Sequence, residues 1–259
     1  MKVEAHPSPN FNDRKQPVDM LVFHYTGMET GQAALDRMCD PDAEVSAHYM
    51  IWEDGRIAQL VGEDKRAWHA GVSSWKGETD LNSRSIGIEI VNGGHDWPLP
   101  GDRLPPFPEI QIDALIKLTH SILERWDIPQ QRIVGHSDIA PARKQDPGEH
   151  FPWAKLSRFG IGLWPSSLLD GAAGSAASVK GPQLIGRGLG PGDDKKAVSR
   201  LQTMLAGISY EIEASGTYDK ATETVVRAFQ RRWLQDQVTG LADLRTLRMI
   251  GLMHPLYCS

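Results

Sequence analysis

The sequence predicts an α/β protein: a mixed central sheet flanked by helices, followed by a small C-terminal domain of three helices. Three observations carry this expectation. Short apolar runs at residues 20–24 and 85–91 have the length of buried strands. Between and after them, apolar residues recur at helical spacing, most clearly from Ile112 to Trp126. Near residue 166 the composition turns to Gly, Ala and Ser, and beyond that stretch the apolar spacing is helical throughout.

Each element follows in order. Residues 20–24 (MLVFH) read as a buried strand that stops at Tyr25-Thr26-Gly27, and residues 28–38 then look helical. Residues 46–52 (SAHYMIW) and 56–61 (RIAQLV) flank Glu53-Asp54-Gly55, a hairpin with Asp-Gly at its turn. In residues 85–91 (SIGIEIV), Ile86, Ile88 and Ile90 share one face, which turns Gly87 and Glu89 to the other. From Pro108 the period changes: Ile112, Leu115, Ile116, Thr119, Ile122, Leu123 and Trp126 form the stripe of one long helix. Pro129 ends it, and residues 132–136 return to a short strand. Residues 169–182 (LDGAAGSAASVKGP) have the composition of a flexible linker. After it, Val198, Leu201, Leu205 and Ile208 mark one helix, Thr222, Val225, Val226, Phe229 and Trp233 a second, and residues 243–250 a third. The expected division is 1–166, a linker over 167–182, and 183–259. A helical unit of about 70 residues is near the lower end of what folds alone.

Composition narrows the function classes. A length of 259 residues fits one large or two unequal domains, and a net charge of −5 argues against a nucleic-acid partner, since phosphate binding calls for excess Lys and Arg. Cys39 and Cys258 are too few and too far apart for a disulfide framework or a thiolate zinc site. The N-terminal stretch MKVEAHPSPNFNDRK has no apolar h-region, and no run approaches the roughly 20 apolar residues of a membrane span. The expectation is a cytoplasmic protein without membrane insertion; a periplasmic or exported protein is the alternative if the natural N-terminus has been trimmed.

The reactive residues are found by position. His24 and His136 each stand where a strand gives way to a loop, the place where α/β scaffolds hold reactive side chains. Asp146 follows His136 by ten residues, in a Pro-containing loop. Two imidazoles and one carboxylate make a three-ligand set that leaves a fourth position of a zinc ion open, the mark of catalytic rather than structural zinc. On the residues alone, either histidine also reads as packed or hydrogen-bonded, Glu89 as a solvated strand residue, and Lys144 beside Arg143 as a surface charge pair. His136-Ser137-Asp138 has the His-x-Asp spacing of iron oxygenases. Those need a nearly all-strand fold, whereas a long helix precedes this motif, so Asp138 reads as a turn or helix-cap residue.

In order along the chain come Phe23-His24-Tyr25-Thr26, Ser46-Ala47-His48-Tyr49, Ala67-Trp68-His69-Ala70-Gly71, Ser85-Ile86-Gly87-Ile88-Glu89, and Gly135-His136-Ser137-Asp138-Ile139-Ala140-Pro141 through Lys144-Gln145-Asp146-Pro147-Gly148. Together these blocks resemble the type 2 family of N-acetylmuramoyl-L-alanine amidases, related to the peptidoglycan recognition proteins, over roughly residues 18 to 165. The resemblance implies one Zn2+ per catalytic domain, held by His24, His136 and Asp146. It implies that Glu89 takes a proton from the attacking water and hands it to the departing L-alanine nitrogen, and that Lys144 steadies the oxyanion. His48, His69 and Trp68 match family blocks and are candidates for the substrate groove; buried or supporting roles are equally open to them. The implied reaction is hydrolysis of the amide between N-acetylmuramic acid, or its 1,6-anhydro form, and L-alanine. The implied partners are peptidoglycan fragments or anhydro-muropeptides, in wall turnover or recycling. Residues 193–205, 216–222, 228–230 and 239–240 are similar to the small three-helix peptidoglycan-binding domain, with Asp219 as a helix N-cap. The alternative function is a non-catalytic peptidoglycan receptor, from which the complete ligand set separates this chain.

Overall fold

The computed structural model describes residues 2–165, 188–193 and 195–258. The expected linker over 167–182 lies outside the described residues. The strands are β1 (Glu4–Ala5), β2 (Phe11–Asp13), β3 (Met20–Tyr25), β4 (Tyr49–Ile51), β5 (Ile57–Gln59), β6 (Lys65–Ala67), β7 (Ser85–Ile90) and β8 (Ile133–Gly135). The helices are α1 (Gly31–Cys39), α2 (Glu109–Leu123), α3 (His136–Ile139), α4 (Trp153–Ser157), α5 (Lys195–Gly207), α6 (Lys220–Trp233) and α7 (Leu244–Cys258). Six strands form one sheet in the order β1-β5-β4-β7-β3-β8, and β2 pairs with β6 apart from it. Strand β3 runs parallel to β7 and β8, β4 runs parallel to β7, and the β4–β5 hairpin supplies an antiparallel pair. The sheet is mixed, as the sequence predicts.

Period-two alternation sorts side chains to the two faces. On one face Leu21, Phe23, Ile86, Ile88 and Ile90 pack under Ile112, Leu115, Ile116 and Ile122 of α2. On the other, Met20 and Val22 of β3 and Val134 of β8 join one continuous core with Val198, Leu201, Phe229, Trp233 and Tyr257 of the C-terminal helices. The C-terminal helices therefore share one core with this face of the sheet, and α6 packs on α3. Helix α1 closes a third cluster with Met50, Ala58 and Val91.

Three findings differ from the local sequence reading. Strands β1, β2 and β6 have only two or three residues, too short for a periodic signal, and are held by their pairing. The α4 turn is equally short. Helix α7 runs on to Cys258 with Pro255 inside it, where the pattern predicts an end near residue 250. A proline so close to the C-terminus removes only a bond of the final turn.

Candidate metal centre

The sheet brings the reactive residues together. In the β3–β7 register His24 lies directly beside Glu89. Strand β8 ends at Gly135, so His136 opens α3, and the Ser137 N–H donates to the Asp146 carbonyl at 2.8 Å, tying the two segments. His24 Nδ1 and His136 Nδ1 are 2.9 Å apart, and each lies 3.0 Å from Asp146 Oδ2. All three side chains are buried.

The proton positions follow from the surrounding bonds. The Ser85 hydroxyl donates to the Leu81 carbonyl at 2.6 Å, so its oxygen is left to accept from His69 Nε2 at 3.1 Å. A neutral His69 with Nε2–H offers Nδ1 as an acceptor, and His24 Nε2 stands 3.1 Å from it. His24 therefore carries its proton on Nε2 and presents a bare Nδ1. His136 Nε2 faces the Ala70 carbonyl at 3.1 Å, which only accepts, so His136 Nδ1 is bare as well. Two imidazole lone pairs and a carboxylate oxygen then converge with no proton among them. Such an arrangement repels itself unless a cation sits between, and outer partners that fix the tautomer are how metal-binding histidines are held. Donors around one tetrahedral zinc ion at about 2.0–2.2 Å stand roughly 3.3–3.6 Å apart, a small expansion of the triangle described. The donor set fits zinc.

The electrostatics agree. Burial, reinforced by His136, pushes the His24 imidazole down to about 4, so it is neutral at pH 7. Burial and the neighbouring His24 hold His69 well below its usual value. Burial alone would raise Asp146, but His136 and His24 hold it far below the usual carboxylate range. Glu89 is pushed well above its ordinary value by burial and then by Asp146, with Lys144 opposing. Its Oε2 is shut off from solvent and meets no hydrogen-bond partner among the described residues. A half-buried carboxyl group with an uncommitted oxygen beside the cluster is placed to exchange a proton.

A cavity of about 310 Å³ opens above these groups. His136, Asp146, Glu89, Lys144 and His69 line it, together with Tyr25, Met28, Arg37 and Asp96, and His24 adjoins it through His69, His136 and Asp146. His48 and Trp68 do not. His48 is fully buried, accepts from the Gly87 N–H at 3.0 Å and is enclosed by Arg14 and the Lys65 carbonyl; burial, then Arg14, lowers it to about 3. Trp68 donates from Nε1 to Asn12 Oδ1 at 3.0 Å. Asp138 caps α3, accepting from the Gly135 N–H at 2.8 Å, in line with its sequence reading. Sequence reasoning passed over Tyr25, whose hydroxyl meets His95 Nδ1 at 2.9 Å, while His95 Nε2 faces Glu149 at 3.2 Å. Its place in the block Phe23-His24-Tyr25-Thr26 was the available signal. Arg37, on an exposed helix face, offered none.

Comparison with known proteins bears on this arrangement. Residues 14–149 match the family described as N-acetylmuramoyl-L-alanine amidase, and residues 194–250 match a peptidoglycan binding domain. The N-acetylmuramoyl-L-alanine amidase AmiD of Escherichia coli (strain K12) is 36% identical over 238 residues, spanning 88% of this chain and 79% of that protein. The 1,6-anhydro-N-acetylmuramyl-L-alanine amidase AmpD of Haemophilus influenzae (strain ATCC 51907 / DSM 11121 / KW20 / Rd) is 38% identical over 168 residues, 57% of this chain and 86% of that one. Among solved structures, a complex of AmiD from E. coli with the substrate anhydro-N-acetylmuramic acid-L-Ala-D-gamma-Glu-L-Lys superposes with a TM-score of 0.75 at 31% identity, covering 96% of this chain and 98% of that one.

Proposed function

The chain belongs to the N-acetylmuramoyl-L-alanine amidase family, and on that premise we propose that it is a zinc hydrolase working through His24, His136, Asp146, Glu89 and Lys144. Its reaction is hydrolysis of the amide joining the lactyl group of N-acetylmuramic acid, or of the 1,6-anhydro sugar, to L-alanine. The observation that carries the reading is the convergence of two bare imidazole nitrogens and one carboxylate oxygen beside a Glu89 oxygen with no partner.

His24, His136 and Asp146 would hold the ion, and His69 with Ser85 fixes the orientation of His24. Zinc supplies a water of lowered pKa and Lewis acidity toward the substrate carbonyl. Glu89 accepts the proton of the attacking water at its free oxygen. It then returns that proton to the L-alanine nitrogen, which would otherwise depart as a poor leaving group. Lys144, on the cavity wall, offsets the negative charge that develops on the carbonyl oxygen. His69 lines the cavity as well, and its contribution is to the ligand it supports. For His48 and Trp68 the cavity lining gives no support to substrate contact.

The wall-binding role of residues 183–259 is supported by the family match over 194–250 and raises the local concentration of glycan near the active site. Among the described residues no helix is long and apolar enough to cross a membrane. A cytoplasmic site of action, where cells recover wall fragments, fits this substrate and is tested by fractionation.

The reading is tested by incubating the purified protein with anhydro-muropeptide monomers and, separately, with intact sacculi, while its metal is measured by elemental analysis. One zinc per chain and release of stem peptide with a free L-alanine amino group are expected. A metal-free protein that leaves the amide uncut after zinc is supplied would overturn it.

A further inference from the structure

Helix α6 of the C-terminal unit and the turn after it reach the segment that carries His136 and Asp146. Arg232 and Asp138 are both fully buried, and Arg232 Nη1 donates to Asp138 Oδ2 at 2.6 Å. Arg232 Nη2 donates to the Ile133 carbonyl at 3.0 Å, and its guanidinium lies 3.9 Å above the Trp153 ring. Asp138 Oδ2 also accepts from the Gly135 N–H, immediately before His136, and Oδ1 accepts from the Tyr210 hydroxyl at 2.9 Å. Next along α6, Arg231 Nη2 donates to Gln145 Oε1 at 3.1 Å, on the residue just before Asp146. Its Nε stands 3.4 Å from Glu149 Oε2, an ion pair without hydrogen-bond geometry. Gln235 Nε2 closes the series, donating to the Phe151 carbonyl at 2.7 Å.

These contacts are more than docking requires. A module that only rests on a sheet needs apolar burial, which Met20, Val22 and Val134 already provide. Burying a guanidinium is costly unless it is paired; both Arg232 terminal nitrogens have partners, while its Nε meets none among the described residues. Here that cation is spent on the carboxylate capping the helix that begins with His136, while its neighbour in sequence grips the side chain beside Asp146. Between β8 and α4 the chain has only the four residues of α3 as regular structure. Its conformation depends on outside partners, and α6 supplies them at both ends.

We propose that α6 and the turn that follows it are a working part of the metal centre: Arg231, Arg232 and Gln235 are positioning residues that hold residues 133–151 in the conformation presenting His136 and Asp146. The C-terminal unit then serves the reaction itself as well as any wall contact. The proposal rests on the reading of those two side chains as metal ligands.

The test uses the full chain carrying Arg231→Met with Gln235→Ala, because Arg232→Met alone would leave Asp138 buried without its counter-charge. Zinc affinity is measured by chelator competition, and amide hydrogen exchange is followed in the metal-free protein. Zinc affinity is expected to fall at least about tenfold, as when outer partners of metal ligands are lost. Exchange is expected to quicken over residues 133–151 and to stay unchanged over β4 and β5. Gln145→Ala, an exposed site that removes the acceptor from the other side, should move both readouts in the same direction, and Arg231→Lys should recover part of the loss. Wild-type affinity and unchanged exchange in the double variant, with zinc lost in Asp146→Ala, overturn the brace and leave the metal reading standing. Zinc binding equally absent from wild type and Asp146→Ala overturns the metal reading, and exchange over 133–151 then decides the brace by itself.

Discussion

Gly87→Ala is a one-carbon change inside β7, yet it should disturb the metal centre. Gly87 has an ordinary strand backbone, so alanine is conformationally allowed and only space forbids it. An added Cβ would stand 2.4 Å from Cγ, 2.5 Å from Nδ1 and 2.7 Å from Cδ2 of His69, against ordinary contacts of 3.4 Å or more. The ring must retreat by about 1 Å to restore van der Waals separation. It has little room to do so, with His24 and His48 at centroid distances of 5.1 and 5.6 Å. A retreat of that size pulls the ring nitrogens out of line with their 3.1 Å partners, His24 and Ser85, and weakens the bonds that fix His24. Overpacking of this kind costs about 1–3 kcal/mol. Freeing a metal ligand from its outer partner costs about 10–100-fold in metal affinity. The metal-free variant should therefore melt about 2–12 °C lower, at about 2–4 °C per kcal/mol, and bind zinc at least tenfold more weakly in chelator competition. Gly251→Ala is the control, since nothing lies within 4 Å of its added Cβ in α7; it should stabilise by up to about 1 kcal/mol. Wild-type zinc affinity in Gly87→Ala, with its fold intact, would refute the tautomer chain that fixes His24.

Three further outcomes are expected. Glu89→Gln should retain zinc in elemental analysis while kcat falls by about 10²–10⁴, the usual worth of a positioned proton-transfer group; turnover near normal would remove Glu89 from its role. Lys144→Met should lower kcat by about 10²–10³ with KM little changed, the pattern for a charge interaction made in the transition state; a rise in KM alone would assign Lys144 to substrate binding. In the metal-free protein, His24 and His48 have folded values near 4 and 3 against an ordinary 6.5. The unfolded chain takes up those protons first as pH falls below 6.5, so stability is intact above that pH and drains away towards pH 4. His24 and His48 together contribute a slope of about 2.7 kcal/mol per pH unit, with the lowered His69 and His150 adding in the same sense and the raised Glu89 opposing. Denaturant melts across that window should show stability falling as pH falls, and a flat profile would contradict the burial argument.

Much of this was written in local sequence because it depends on local rules. The run at 20–24 had to be a strand, and alternation in 85–91 put Glu89 on the face opposite Ile86, Ile88 and Ile90, where it stands beside His24. The three proposed ligands come from combining strand ends with the family blocks, since a histidine after a strand carries no mark that separates ligation from packing. His48 shows the ambiguity: it shares a block with Tyr49 yet is walled in by Arg14 and Gly87. The docking of the C-terminal helices was not legible. Met20 and Val22 read as generic core residues, and which surface covers them is settled by contacts some two hundred residues away in sequence. Arg231 and Arg232 at the end of an amphipathic helix look like solvated charges, and only tertiary structure turns them inward.

The central claim is that two imidazoles present unprotonated Nδ1 atoms to a common cation shared with Asp146. Diffraction from crystals of the zinc-loaded protein, recorded on both sides of the zinc absorption edge, addresses it most directly. One anomalous peak bonded to His24 Nδ1, His136 Nδ1 and an Asp146 carboxylate oxygen is expected. A peak elsewhere, or a zinc ion bound through Nε2 of either histidine, would contradict the account.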